Sequence, residues 1–317
     1  MGANDWANAK GETMWMGWNG VTGAWVAALV LAIAGASHAQ TQQPTITWLL
    51  WDSAPGVIFS DGKPTGGYVL SATKMLTDAW PEAQHRLVRT TIENAWNTLD
   101  RGLEACYASA LITPERERNY YMTQTLVVPS LAVIVRPEAV AKLPRNTKGE
   151  VLPAELFDSK ELHGILATNR SYTALLDALL KSRSTSSTIS YAKQLSGPSN
   201  ILQMLAANRG DYTIEYATAA LYQGTRTPEV AQANLQSFPI AGMEPVAAGI
   251  ACPRTEWGRA VIVKADALLS RVVTQPEYFE GYKRWLTNAE QKYLAPYIAT
   301  FIKQRSQPSP SGKYGPP

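Results

Sequence analysis

Short apolar runs alternate with longer stretches of mixed polarity from residue 46 onward. Residues 46–50 (ITWLL) have strand length and are rich in β-branched and aromatic side chains. A turn-forming cluster at 60–67 (SDGKPTGG) precedes a helical pattern over 68–80, closed by Pro81. A strand over 85–91, a helix over 93–101 ended by Gly102, and a strand over 104–110 (EACYASA) come next. Strands alternating with helices of this length predict βαβ units and a largely parallel sheet.

The second half repeats the alternation with different spacing. Strands are expected at 131–135 (LAVIV), 163–167 (HGILA), 211–216 (DYTIEY), 235–240 and 246–252, and helices at 171–181 and 200–208. Residues 182–190 are rich in Ser and Thr, part loop and part strand. Residues 256–305 read as mostly helical, with breaks near Gln275-Pro276 and Thr287-Asn288. The last residues, 306–317 (SQPSPSGKYGPP), have the composition of a disordered tail.

Ahead of this pattern lies one apolar run, 21–34 (VTGAWVAALVLAIA). It is shorter than the roughly 20 residues that a membrane-spanning helix needs, and it has the length of a signal-peptide core. Ser37 and Ala39 supply small residues for cleavage before Gln40, so residues 1–39 are expected to be a signal peptide. The preceding stretch holds Lys10 against Asp5 and Glu12, which is weakly basic for such a leader. A start at Met14 or Met16 would shorten it. The alternatives are an uncleaved anchor or a buried helix; the small-residue site directly after the run favours cleavage.

Composition narrows the function classes. The formal charge is +3, and no basic stripe or nucleic-acid motif accompanies it, so no nucleic-acid partner is expected. The three histidines, His38, His85 and His163, have no Cys or carboxylate at metal-ligand spacing. No GxSxG, HExxH, P-loop or GxGxxG motif occurs. No catalytic constellation, metal or cofactor is therefore expected. Cys106 and Cys252 could form a bridge in an oxidising compartment or could be two unrelated buried thiols.

The segment Ser109-Ala110-Leu111-Ile112-Thr113-Pro114-Glu115-Arg116 resembles a motif of the type II periplasmic solute-binding proteins, the group that includes amino-acid-binding components of ABC importers. In that group a strand ends in small or hydroxyl residues and runs into "ITxxR", and a strand then crosses to a second lobe. Tyr121 to Leu126 stands where an "FS" segment is found, and residues 131–136 match the crossing strand. Gly66-Gly67-Tyr68, Gly210-Asp211 and residues 245–254 (PVAAGIACPR) are looser matches in the same order. The resemblance implies a two-lobed α/β fold of the type II periplasmic-binding-protein kind. Each lobe would be a mostly parallel sheet flanked by helices, and two crossings would join the lobes. Lobe one would span 46–130 plus 241–305, and lobe two 131–240. It also implies a monomer that captures a small anionic or zwitterionic ligand between its lobes, with the membrane component of an ABC transporter, or a receptor, as a partner. An enzyme on the same fold, dehydratase-like, or a sensory or vestigial binding protein are the alternatives. With both cysteines on lobe-one strands, the resemblance favours the bridge.

The resemblance also assigns candidate site residues. Arg116 matches the arginine that holds a ligand carboxylate, a task suited to a planar fork of N–H donors. The other reading is a surface arginine paired with Glu115 or Glu117. Ser109 would share its lip, and Trp51 would supply an aromatic shelf. Asn169, Arg170 and Ser171 follow a strand and would open a helix, giving an anion site or ordinary capping. Tyr216 falls where amino-acid binders place the aspartate that takes the ligand ammonium. Glu215, one residue earlier on a strand, would face the other way.

Overall fold

The apolar run at residues 45–51 forms β1 (Thr45–Trp51), whose side chains alternate between two faces. Ile46, Trp48 and Leu50 enter one core, and Leu49 and Trp51 pack in another on the opposite face. In this computed structural model the described residues are 43–317 apart from 169, 184–186 and 193–198. The expected leader over 1–39 and the candidate Asn169 lie outside them.

The further strands are β2 (Ile58–Ser60), β3 (Lys63–Gly66), β4 (Gln84–Thr90), β5 (Ala105–Leu111), β6 (Tyr120–Val128), β7 (Ala132–Val135), β8 (Gly164–Ala167), β9 (Ile189–Ala192), β10 (Tyr212–Glu215), β11 (Gln236–Pro239) and β12 (Val246–Pro253). They build one sheet in the order β4-β1-β5-β12-β6, a second in the order β11-β7-β10-β8-β9, and a β2–β3 hairpin. Each five-stranded sheet anchors its own hydrophobic cluster, one around Trp48, Ile250 and Leu269, the other around Val133, Leu166 and Ile214. The chain passes from the first sheet to the second between β6 and β7 and returns between β11 and β12. This is the expected two-lobed α/β fold with two crossings.

The sheets are mixed, a departure from the largely parallel expectation. β1 pairs in parallel with β4 and β5, while β12 runs antiparallel to β5 and β6. In the second sheet β8 is parallel to β9 and β10, while β7 is antiparallel to β10 and β11. The physical reason is connectivity. A βα unit adds a parallel strand, but a strand that leaves or re-enters a lobe runs back against its neighbours.

The helices are α1 (Tyr68–Asp78), α2 (Ile92–Asp100), α3 (Pro114–Asn119), α4 (Pro153–Asp158), α5 (Ala174–Lys181), α6 (Ser199–Ala206), α7 (Ala217–Arg226), α8 (Pro228–Gln232), α9 (Glu256–Val272), α10 (Glu277–Lys283) and α11 (Asn288–Arg305). The helical C-terminal region breaks where expected, between α9 and α10 and again before α11. Thr287 and Glu290 form a reciprocal capping box at the second break: the Glu290 N–H donates to Thr287 Oγ1 at 3.2 Å, and the Thr287 N–H donates to Glu290 at 2.8 Å. Gly67, before α1, has φ +109, and a Cβ there would lie 2.3 Å from the Gly56 carbonyl oxygen. Only glycine fits this approach, which delivers Tyr68 to the edge of lobe one.

Cys106 and Cys252 are disulfide-bonded, with Cα atoms 4.4 Å apart. The register pairs Tyr107 with Ala251, so the cysteines lie opposite each other on adjacent antiparallel strands, within the same core. The bridge expected from the resemblance is present.

The C-terminal segment corrects the expectation of disorder. Residues 306–317 dock on lobe one. Ser309 donates its N–H to Asp266 at 2.6 Å, the Tyr314 hydroxyl donates to Asp266 at 2.8 Å, and the Tyr121 hydroxyl donates to the Gly315 carbonyl at 2.7 Å. Tyr314 is 5% exposed. Composition argued against a self-contained core in these residues. It could not show that one tyrosine and one serine would find partners on a neighbouring surface.

Candidate ligand cleft

Lobe one contributes an arginine on an aromatic bed. β5 ends at Leu111, and Thr113 caps the short helix α3 by accepting the Arg116 N–H at 3.2 Å. Proline at the first helical position needs no donor there and fixes the turn. Arg116 folds back: its Nη1 donates to the Leu111 carbonyl at 2.9 Å, and its guanidinium lies 4.5 Å from the centre of the Trp96 ring. Trp96 meets Tyr107 edge to face at 5.4 Å and Tyr120 at 4.9 Å. Trp51 joins this cluster, so Arg116 and Trp51 share one aromatic patch. Burial pulls the Arg116 pKa below its usual range, and the guanidinium makes no salt bridge among the described residues. Ser109, near the end of β5, has a buried hydroxyl with no hydrogen-bond partner among the described residues.

Lobe two contributes an internal ion pair. Arg170 follows β8, and Glu215 closes β10, 45 residues later. Arg170 Nη2 donates to Glu215 Oε1 at 2.8 Å, and Nη1 donates to Oε2, a two-pronged contact. Glu215 Oε1 also accepts the Tyr216 N–H at 2.8 Å. The side chains are 11% and 6% exposed. Burial alone would lower the Arg170 pKa; the adjacent Glu215 carboxylate more than offsets it and holds the pKa above its ordinary value. The Arg170 guanidinium also lies over the Tyr172 ring at 5.1 Å.

Tyr216 connects the two halves. It caps α7 and packs against the hydrophobic clusters of both lobes. Its hydroxyl lies within electrostatic reach of Arg170, Glu215 and Arg116. Burial pushes its pKa up to about 12, so the phenol stays protonated and can donate. Burial raises Tyr68, which also feels Tyr216 and Glu215, and Tyr107, which also feels Arg116 and Tyr216. Glu215 and Tyr216 were expected on opposite faces. They reach one charged centre because β10 ends at Glu215 and strict alternation ends with it.

Further contacts span the seam. Tyr68 packs on Tyr282 of α10 at 4.7 Å, and Tyr216 packs against the same lobe-one cluster. Tyr222 of α7 packs edge to face on Trp285 after α10, at 5.2 Å. A cavity of about 200 Å³ remains between the lobes, bounded by Asp52 and Phe59 on one side and by Tyr222, Gln223 and Arg226 on the other. Arg116, Trp51, Arg170 and Tyr216 are not part of its lining.

The expected site residues therefore divide. Arg116, Trp51, Arg170 and Tyr216 gather at the seam, and Ser109 lies at the end of the strand that leads into it. Ser171 does not join them. It is exposed, and its hydroxyl donates to Asp177 at 2.5 Å, while the Tyr172 N–H donates to the same carboxylate at 2.8 Å. α5 starts at Ala174 with Thr173 as its cap, so Arg170 and Ser171 neither open nor cap a helix. Tyr68, Trp96, Tyr107 and Tyr222 were not expected at the site. Only Tyr68 had a local signal, the Gly-Gly step before its helix.

No group of three or more His, Cys, Asp or Glu placed to hold a metal occurs among the described residues. His85 is structural: it accepts from Trp48 Nε1 at 3.0 Å and lies 2.8 Å from the Trp80 carbonyl oxygen. The Glu215 carboxylate is engaged by Arg170.

No protein-family model matches the chain, and no curated protein does. Solved structures do. A histidine kinase sensor domain with similarity to periplasmic binding proteins aligns with a TM-score of 0.59 at 16% identity, over 77% of this chain and 96% of that one. A periplasmic binding protein of high arginine specificity from Salmonella typhimurium aligns at 0.56 and 15%, over 77% and 100%. A probable amino-acid ABC transporter extracellular-binding protein from Bacillus subtilis aligns at 0.56 and 17%, over 77% and 98%. At these identities the likeness is one of fold. The chain has the two-lobed periplasmic-binding-protein fold.

Proposed function

We propose that this protein is an exported solute-binding protein that closes its lobes on a small anionic ligand and presents it to a membrane importer or receptor. The observation that supports this most is Arg116: a partly buried guanidinium, stacked on Trp96, without a carboxylate partner among the described residues. Such a group gains most from an anion that enters with its own charge. Tyr107 of lobe one and Tyr216 of lobe two stand in its field, both neutral at ordinary pH, so a ligand there touches both lobes and favours closure. Two crossings provide the hinge. The Cys106–Cys252 bridge and the signal-like segment at 21–39 fit a periplasmic location.

Calorimetry with a panel of small carboxylates tests this. Arg116→Ala is expected to weaken binding by roughly 30-fold to several thousand-fold, the ~2–5 kcal/mol of a truncated desolvated charge pair. Arg116→Lys should recover only part, since an ammonium cannot make the two-pronged contact. Unchanged affinity in Arg116→Ala would overturn the assignment.

A further inference from the structure

Glu215 and Asp266 are the carboxylates under one-tenth exposed among the described residues. Asp266 lies on α9, fully engaged with the C-terminal segment. Glu215 is thus the buried anion at the seam, and both its oxygens are taken by Arg170, with the Tyr216 N–H as a third donor. Asp52, at the rim of the inter-lobe cavity, is paired with Arg89 at 2.7 Å. Glu115, beside Arg116, is solvent-exposed on α3. The charged groups buried around Tyr216 are therefore two arginines and one carboxylate, with the carboxylate spent internally.

We propose that the cleft selects organic acids that lack an amine, because Arg170 already occupies the buried carboxylate with which a ligand ammonium could pair. This rests on Arg116 as the anion site. An α-amino acid brings a carboxylate that Arg116 can hold and an ammonium that finds cations and neutral phenols. Burying an unpaired ammonium there is unfavourable, and the nearby guanidinium makes it worse. Displacing Arg170 to free Glu215 only moves the problem, since the guanidinium would then be the buried charge without a partner. An uncharged acceptor in place of the amine, such as a 2-oxo group, meets what the seam does offer: the protonated hydroxyl of Tyr216, which packs against both lobes. The charge count also matches. One incoming negative charge neutralises one unpaired guanidinium.

Matched pairs differing only at that position test the idea at pH 7: pyruvate with alanine, 2-oxoglutarate with glutamate, phenylpyruvate with phenylalanine. Calorimetry on the full mature chain is expected to show the preferred oxo acid binding at least about tenfold tighter than its amino partner. In Arg170→Met the freed Glu215 should reverse the order within that pair. The double variant Arg170→Met with Glu215→Leu, which leaves no buried charge in lobe two, should bring the two members to within a few-fold. Wild-type preference for the amino acid overturns the selectivity while leaving Arg116 in place. Binding that is insensitive to Arg116→Ala, or an absence of binding across all three pairs, overturns the anion site and the selectivity with it.

Discussion

Asp266 and Glu215 are each buried, each paired with an arginine, and differently surrounded. Asp266 is held by Arg305 at 3.0 Å and also accepts from the Thr123 hydroxyl at 2.6 Å, the Ser309 hydroxyl at 2.9 Å, the Ser309 N–H at 2.6 Å and the Tyr314 hydroxyl at 2.8 Å. These partners come from β6, the end of α11 and the C-terminal segment. Glu215 has Arg170 and its own neighbour's N–H. One pair stitches three segments together. The other holds charge at the seam between lobes and joins little else. A buried ion pair is weak support for stability by itself, because desolvation consumes most of its attraction. Extra hydrogen bonds decide the sign. The first cluster should matter to folding, and the second to which ligand the cleft accepts.

The largest expected effect sharpens this contrast. Asp266→Ala leaves Arg305, which is 6% exposed, without its carboxylate and releases Ser309 and Tyr314. Breaking a buried pair in this way costs about 3–5 kcal/mol. Urea unfolding should show it, and limited proteolysis should open the chain after Arg305. Carboxylate affinity should stay within a few-fold. A loss under about 1 kcal/mol would mean that the C-terminal segment docks without help from this network.

A smaller loss is expected at the seam. Arg170→Met leaves Glu215 buried, but opening of the lobes can hydrate it, so the cost should be nearer ~1–3 kcal/mol. Replacing both partners, Arg170→Met with Glu215→Leu, should recover most of that loss, since an apolar pair of similar volume avoids desolvation altogether. If the single variant proves as damaging as Asp266→Ala and the double variant does not recover, the Arg170–Glu215 pair is structural, and the division between the two clusters fails.

Much of the fold was legible because it rests on local pattern. The strand-forming runs at 46–50, 131–135 and 246–252 and the breaks around 275 and 287 are all where apolar period and turn chemistry place them. The motif around Arg116 was legible too, because a strand end, a Thr cap and a proline are neighbours in sequence. What was missed depends on contacts between distant residues. Arg170 and Glu215 lie 45 residues apart, and no spacing rule pairs them. Trp96 on α2 and Tyr222 on α7 look like ordinary helix residues until packing puts one under a guanidinium and the other against Trp285. The misjudged tail shows the same thing from the other side. Its composition is that of a disordered chain, and its order is supplied by Asp266 and Tyr121 on lobe one.

The smallest effect concerns acid. Burial alone would raise the Asp266 pKa. Donors from Thr123, the Ser309 N–H and Tyr314, together with the Arg305 charge, outweigh it and hold the pKa below its ordinary value. A carboxylate with a depressed folded-state pKa contributes stability above the unfolded-state value, near 3.9, and that contribution fades as pH falls toward the folded value. The stability gap between the wild-type chain and Asp266→Asn should therefore stay flat from about pH 7 to pH 5 and narrow below about pH 4. One group changes the slope by at most about 1.4 kcal/mol per pH unit, so the narrowing should be gradual. Denaturant midpoints measured across this range for both proteins would reveal it. A gap that widens toward acid would place protonated Asp266 among better partners than the ionised form has, and would remove the carboxylate as the organiser of the C-terminal segment.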